Sequence, residues 1–222
     1  VLTFITIISY GLSVFVLPVY ILQKKEYGIL ILLGVTGLFS YGFQFELERG
    51  QFNMIAFLLS LLAIYIYHYK HKYRFFSYLF FCIAVQLKLY PIIFIIMLVR
   101  DWRDWRNNIQ RIIGLGIANF ALLFILGFHL FTDFIEQIGN RTSMQSSRYE
   151  DLSVSGFSYY LSEEAQVIST HYGGVIEKLF LFLFIGTILA IIIHLYRNDK
   201  KGFNPFLFLV ATIGALVIPA AS

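Results

Sequence analysis

Residues 75–99 read FFSYLFFCIAVQLKLYPIIFIIMLV, and the topology of the chain turns on them. At 1.5 Å per residue a continuous helix of this length reaches about 37 Å, more than one crossing of a bilayer needs and too little for two. Basic loops flank it, Lys70–Arg74 before and Arg100–Arg111 after. Short loops rich in Lys and Arg stay on the cytoplasmic side of a membrane, and one crossing cannot have both ends there. Pro91 removes a helical hydrogen bond and disfavours helix at the residue before it. Two readings follow: two short helices meeting at Lys88–Pro91, or one tilted, kinked span that breaks the charge rule.

Working outward, the same character recurs along the chain. Apolar runs cover Val1–Leu22, Gly28–Phe45, Phe52–Tyr67, Ile109–Phe131, Val175–Tyr196 and Pro205–Ala221, with 59% hydrophobic and only 14% charged residues overall. A soluble domain is usually about 45–50% apolar. The runs are continuous, not alternating as in a membrane barrel, which leaves helices. We expect an all-α, polytopic transmembrane bundle of about seven membrane segments, some of them short or broken. It reads as a single transmembrane domain over 1–222, cut at both ends, and multi-pass in the plasma membrane.

The charge of +4 resides mostly in short loops, so it reports orientation and excludes a nucleic-acid partner. Lys24–Lys25, Lys70–Arg74, Arg100–Arg111 and Arg197–Lys201 mark the inner face. Phe43–Asn53 and the loop 132–174 then face outward. Within that loop Ser153–Leu161 and Ser162–Ile168 could form short interfacial helices, and Asn140-Arg141-Thr142 fits a glycosylation sequon. The lone Cys82 excludes an intrachain disulfide.

The chemistry concentrates in two places. Glu46-Leu47-Glu48-Arg49-Gly50-Gln51-Phe52-Asn53 puts three charges and two amides between apolar runs. At a helix centre those charges would cost roughly 8–10 kcal/mol, so they belong at an interface or a polar cavity. An ordinary loop is the plain account. The short run Phe52–Tyr67 would nevertheless draw Arg49, Gln51 and Asn53 below the outer surface, and Gly50 admits a ligand close to the backbone. The second place is Lys88, a cation in an apolar run, which either snorkels to the headgroups or marks a substrate pathway. Arg49 and Lys88 sharing one outer cavity would hold a phosphate. Glu46 and Glu48 would orient Arg49, with Tyr90 and Pro91 supporting Lys88. His68 and His71 read as solvated loop histidines, His129, His171 and His194 sit near span ends without a role, and Arg100–Arg106 reads as an interfacial anchor. No metal site is expected.

An Arg49-Gly50-Gln51 element with Asn53 opening a short span, a Lys88/Pro91 element roughly 35 residues later, and Arg100-Asp101-Trp102-Arg103 after the next apolar run together resemble the GT-C type glycosyltransferases of family 87. The resemblance extends over about Gly34–Arg111, with a faint echo at Val217–Ser222. It implies a hexosyltransferase that moves a mannose-like sugar from a polyprenyl-phosphate donor to a glycan or glycolipid acceptor at the outer face. The lipid-linked sugar would be a substrate, with no separate cofactor. In that family the catalytic Asp lies in the first outer loop. No position here matches it, so the base is expected upstream of residue 1 and no catalytic residue is assigned in this chain. Two other functions fit the same residues: a transporter or flippase of lipid-linked saccharide, and a non-catalytic membrane assembly subunit that uses the outer loop.

Overall fold

The computed structural model describes residues 2–22, 27–39, 43–44, 47, 52–125, 129, 131–133, 136 and 170–217. Every regular element among them is helical, and the strand-like pairing they contain is one isolated bridge between Asp101 and Lys201. The expected helices at Ser153–Leu161 and Ser162–Ile168, the sequon at Asn140 and residues 218–222 lie outside the described residues. The chain forms two compact units, Val1–Leu98 and Val99–Ser222.

Two helices, Leu2–Ile21 and Lys178–Arg197, are long and apolar enough to cross a membrane; Asn53–Tyr69 and Pro205–Ala215 are shorter apolar helices. Some apolar runs continue past the point where a helix stops, because a run counts side chains through breaks that the backbone obeys. Phe75–Val99 divides at Lys88, and the helix within Gly28–Phe45 ends at Leu38.

In the first unit, α1 (Leu2–Gly11) continues through a π-helical turn, Leu12–Val16, into α2 (Leu17–Leu22). Thr6, Ser9, Tyr10 and Ser13 recur at helical spacing and are all buried, while Phe4, Ile5, Ile7 and Ile8 are exposed. The helix therefore turns its polar stripe inward and its apolar side outward, the arrangement that suits hydrocarbon surroundings. α3 (Tyr27–Leu38) packs against it. Gly34 and Gly37 allow the approach, since a Cβ at Gly34 would run into the Phe15 ring and one at Gly37 into the Tyr10 hydroxyl. That hydroxyl donates to the Gly34 carbonyl at 2.7 Å.

α4 (Asn53–Tyr69) is the centre of this unit, with Ala56, Ser60, Leu61, Ala63, Ile64 and Tyr67 buried. α5 (Arg74–Leu87) returns antiparallel to it: Ser77 donates to the Ala63 carbonyl at 2.7 Å, and the Arg74 guanidinium lies over the Tyr67 ring at 5.4 Å. A nine-residue 3₁₀ helix, Tyr90–Leu98, then runs back along α4. Its start is tied to Asn53 by Tyr90, its middle places Phe94 at 6.2 Å from Phe57, and its end meets His68 through the Met97 carbonyl at 2.8 Å. Residues 75–99 are therefore two helices that reverse at Lys88–Leu89. Both ends of the segment lie beside the end of α4 that carries His68 and Tyr69. Of the two sequence readings, the reversal holds and the single kinked span does not.

In the second unit α6 (Trp105–Leu122), α7 (Thr170–Arg197) and α8 (Pro205–Val217) are the long elements. Gly214 of α8 sits where a Cβ would strike the Phe184 ring of α7. α7 leaves Phe182 73% exposed and Ile193 56% exposed, a large apolar surface of the kind that faces lipid or another protein.

Candidate functional site

The site is built from the Lys88 turn and the start of α4. α5 closes with the Lys88 N–H donating to the Ala84 carbonyl at 3.1 Å. Lys88 itself is extended, with φ −154° and ψ 147°, so the break falls three residues ahead of Pro91. Pro91 then occupies the second position of the 3₁₀ helix, where its missing N–H costs no hydrogen bond, and it is fully buried. The sequence locates the break correctly, but it is Lys88, not the residue before the proline, that leaves helical geometry.

Tyr90 connects the two halves of the site. Its hydroxyl donates to the Asn53 main-chain carbonyl at 2.7 Å, which fixes the turn carrying Lys88 to the N-terminal end of α4. A helix N-terminus favours negative charge, and the ammonium of Lys88 belongs to the turn held against that end. Lys88 is half-buried, and no carboxylate among the described residues pairs with it. Of the sequence-predicted residues, the structure thus brings together Asn53, Lys88, Tyr90 and Pro91. Glu46, Glu48, Arg49, Gly50 and Gln51 lie outside the described residues. Among the described residues of this unit there is no Asp or Glu, so none of them supplies a carboxylate base.

One expectation is overturned. His68, read as a solvated loop histidine, belongs to α4, is 8% exposed and bonds through Nε2 to the Met97 carbonyl at 2.8 Å. The cause is that α4 extends through Tyr69, so the ring falls on the helix side covered by the returning 3₁₀ helix. Sequence reading could not have found this pair, whose members are separated by 29 residues and joined through a main-chain oxygen. The Tyr90 hydroxyl's role was hidden for the same reason.

The second unit carries a different cluster. The Asp101 carboxylate accepts from Lys201 Nζ at 2.9 Å and from the Arg103 N–H at 3.0 Å. The Gly202 N–H donates to the Arg100 carbonyl at 2.9 Å, and Arg103 pairs with Asp199 at 3.3 Å. The hydrogen bond from Lys201, followed by that from the Arg103 main chain, holds the Asp101 carboxyl below its ordinary value; the same bond pushes the Lys201 ammonium up. Two loops read from the sequence as inner-face anchors are thereby clasped together, which places them at one end of their unit. Gly202, at φ +95°, and Asp199, at φ 49°, supply the left-handed turn.

Among the described residues the regular elements are all helical, two of them long and apolar enough to cross a membrane and one with its polar stripe turned inward, which suits a helical membrane protein. Residues 1–219 match glycosyltransferase family 87, and the chain belongs to that family. It is a glycosyltransferase, with a sugar donor and an acceptor as its substrates. No curated protein and no solved structure matches the chain.

Proposed function

We propose that the enzyme transfers a mannose-like hexose from a polyprenyl-phosphate sugar to a glycan or glycolipid acceptor at the outer face of the plasma membrane, and that Lys88 holds the donor phosphate. The observation that carries this reading is the Tyr90–Asn53 hydrogen bond. It fastens the turn that carries Lys88 to Asn53, the residue that closes the Arg49-Gly50-Gln51-Phe52-Asn53 stretch. Arg49 would add a planar fork to the point charge of Lys88, and Gln51 and Asn53 would add neutral donors.

The path of the chain supports that orientation. α4, α5 and the 3₁₀ helix run back and forth, so Lys70–Arg74 and the end of the 3₁₀ helix at Leu98 share one side, and Asn53 and Lys88 share the other. With the basic loops on the cytoplasmic side, the Lys88 turn would face outward. The bundle would comprise about seven membrane segments, with Phe75–Val99 entering and leaving on the inner side.

Transfer with inversion would proceed through an oxocarbenium-like state, with a carboxylate from another part of the full protein accepting the proton of the acceptor hydroxyl. The glycosidic bond to phosphate breaks, the acceptor oxygen bonds to the anomeric carbon, and the departing phosphate takes up the negative charge. Lys88 and Arg49 would stabilise that charge as it develops.

Lys88→Ala and Arg49→Ala in the full-length protein are expected to abolish sugar incorporation from the polyprenyl-phosphate donor while membrane insertion persists. Unchanged transfer in both variants would remove the pocket. Loss of saccharide translocation without any transfer by the parent protein would favour a flippase, a reading that paired broken helices related by a repeat would support, where the sequence shows one clear break, at Lys88.

A further inference from the structure

A cleft of about 440 Å³ lies between α7 and α8 in the second unit. Thr187, Ala190, Ile191 and His194 recur at helical spacing along one side of it. Phe206, itself 71% exposed, lines it from α8, and Lys200 and Asn204, in the connection between the two helices, form its polar mouth. The Thr187 hydroxyl is spent on the Leu183 carbonyl of its own helix at 2.8 Å. The inner stretch, Thr187 to Ile191 with Phe206, is therefore an apolar wall with no donor to offer.

The mouth has the opposite character. Neighbouring charges are already neutralised in pairs, Lys201 with Asp101 and Arg103 with Asp199. Among the described residues no carboxylate pairs with Lys200. Asn204 uses its side-chain oxygen to accept from the Leu207 N–H at 2.9 Å, which leaves its amide NH₂ as the group available to a ligand. The side-chain amide of Asn198, just past the end of α7, lies 2.9 Å from His194 Nε2. A cation and a neutral donor thus stand at one end of an apolar groove roughly 10 Å long, the rise from Thr187 to His194 at 1.5 Å per residue.

We infer that this cleft binds one anionic glycerophospholipid, its phosphate at Lys200, His194 and Asn204 and its acyl chain along Ala190, Ile191 and Phe206. A free inorganic anion would leave the apolar wall unused, and a zwitterionic lipid would bring no net charge to Lys200. Basic pockets between helices on the cytoplasmic side are suited to anionic headgroups. The clasp that joins the Lys201 loop to the Arg100 loop keeps the mouth at the basic end of the unit. This inference does not rest on the donor reading above.

The test uses the full-length protein, delipidated in detergent and offered phosphatidylglycerol or phosphatidylcholine, with retained lipid counted by native mass spectrometry. Phosphatidylglycerol is expected to be retained about fivefold over phosphatidylcholine, the worth of one Lys near an anionic surface. Lys200→Gln should erase that preference, and Ala190→Phe, which fills the groove, should reduce retention of both lipids. Lys200 is exposed, so Lys200→Gln is expected to fold even where Ala190→Phe does not. Equal retention of the two lipids by the parent protein, or an undiminished preference in Lys200→Gln, would overturn the inference. Displacement of the lipid by inorganic phosphate alone would overturn it too, since the acyl chain would then contribute nothing.

Discussion

Replacing Tyr90 by Phe tests whether the Lys88 turn is positioned by the structure or merely happens to lie there. The substitution keeps the ring and removes one hydroxyl, which donates to the Asn53 carbonyl at 2.7 Å. That carbonyl belongs to the first residue of α4 and keeps its place in the helical ladder. The loss is therefore one neutral hydrogen bond without a newly orphaned acceptor, about 0.5–1.5 kcal/mol. If the energy is spent wholly on holding the turn, kcat/KM for the lipid-phosphate donor falls by about 2- to 13-fold, with about 5-fold at the centre. Removing Lys88 itself strips a charge from a desolvated anion, worth 2–5 kcal/mol or about 30-fold upward. Transfer assays on the full-length protein in nanodiscs, with thermal denaturation alongside, compare the two variants. A Tyr90→Phe enzyme within error of the parent, beside an inactive Lys88→Ala, would refute the positioning argument. A loss above about 100-fold would refute it from the other side, because a hydroxyl that costs that much touches the substrate.

The other predictions concern packing and the inner-face clasp. Gly34→Ala drives a methyl into the Phe15 ring and should destabilise the first unit by about 1–3 kcal/mol; Gly114→Ala, with open space around it, should leave the melting temperature unchanged or raised, and Phe15→Ala should partly rescue Gly34→Ala. The Asp101 carboxyl is held below its ordinary 3.8, so its contribution is full above that pH and lost as the pH falls through the depressed value. Lys201 is raised above 10.5, so its contribution is full below that pH and lost above it. Protection of the Gly202 N–H against hydrogen exchange, read as a protection factor, should hold from about pH 4 to about pH 10 and decline outside that range; Asp101→Asn should lower it throughout.

The sequence makes the break in Phe75–Val99 legible because Pro91 and Lys88 are both anomalous in an apolar run, and the flanking cations argue that the chain turns back. What it cannot supply is the fastening. Tyr90 reaches Asn53 and His68 reaches Met97 through main-chain oxygens, and no side-chain pattern advertises a carbonyl. The polar stripe Thr6, Ser9, Tyr10 and Ser13 is visible as spacing, yet the π turn at Leu12–Val16 leaves no mark in composition. The end of the helix at Leu38, inside the run Gly28–Phe45, escapes the sequence for a related reason: hydropathy measures side chains, and only backbone hydrogen bonding decides where a helix stops. The clasp between Asp101 and Lys201 joins residues 100 apart in the chain, each of which reads by itself as an ordinary loop charge.

The 3₁₀ form of Tyr90–Leu98 explains how so short a segment can complete the return. Nine residues rise about 18 Å at 2.0 Å each, against about 13.5 Å in an α-helix, so the tighter winding gains roughly 4–5 Å of reach. Between Tyr90 and Met97, the residues that bond to the two ends of α4, the gain is about 3.5 Å. The gain has a penalty, since 3₁₀ geometry is poorer and runs of this length are uncommon. An unsatisfied carbonyl in apolar surroundings costs about 1–3 kcal/mol, and His68 prevents that at Met97. Tyr90 at one end and His68 at the other thus hold the 3₁₀ helix in register with α4, and the position of the Lys88 turn follows from that fastening. Releasing the His68 end should therefore disturb the Lys88 turn from across the unit, even though the histidine lies nowhere near it.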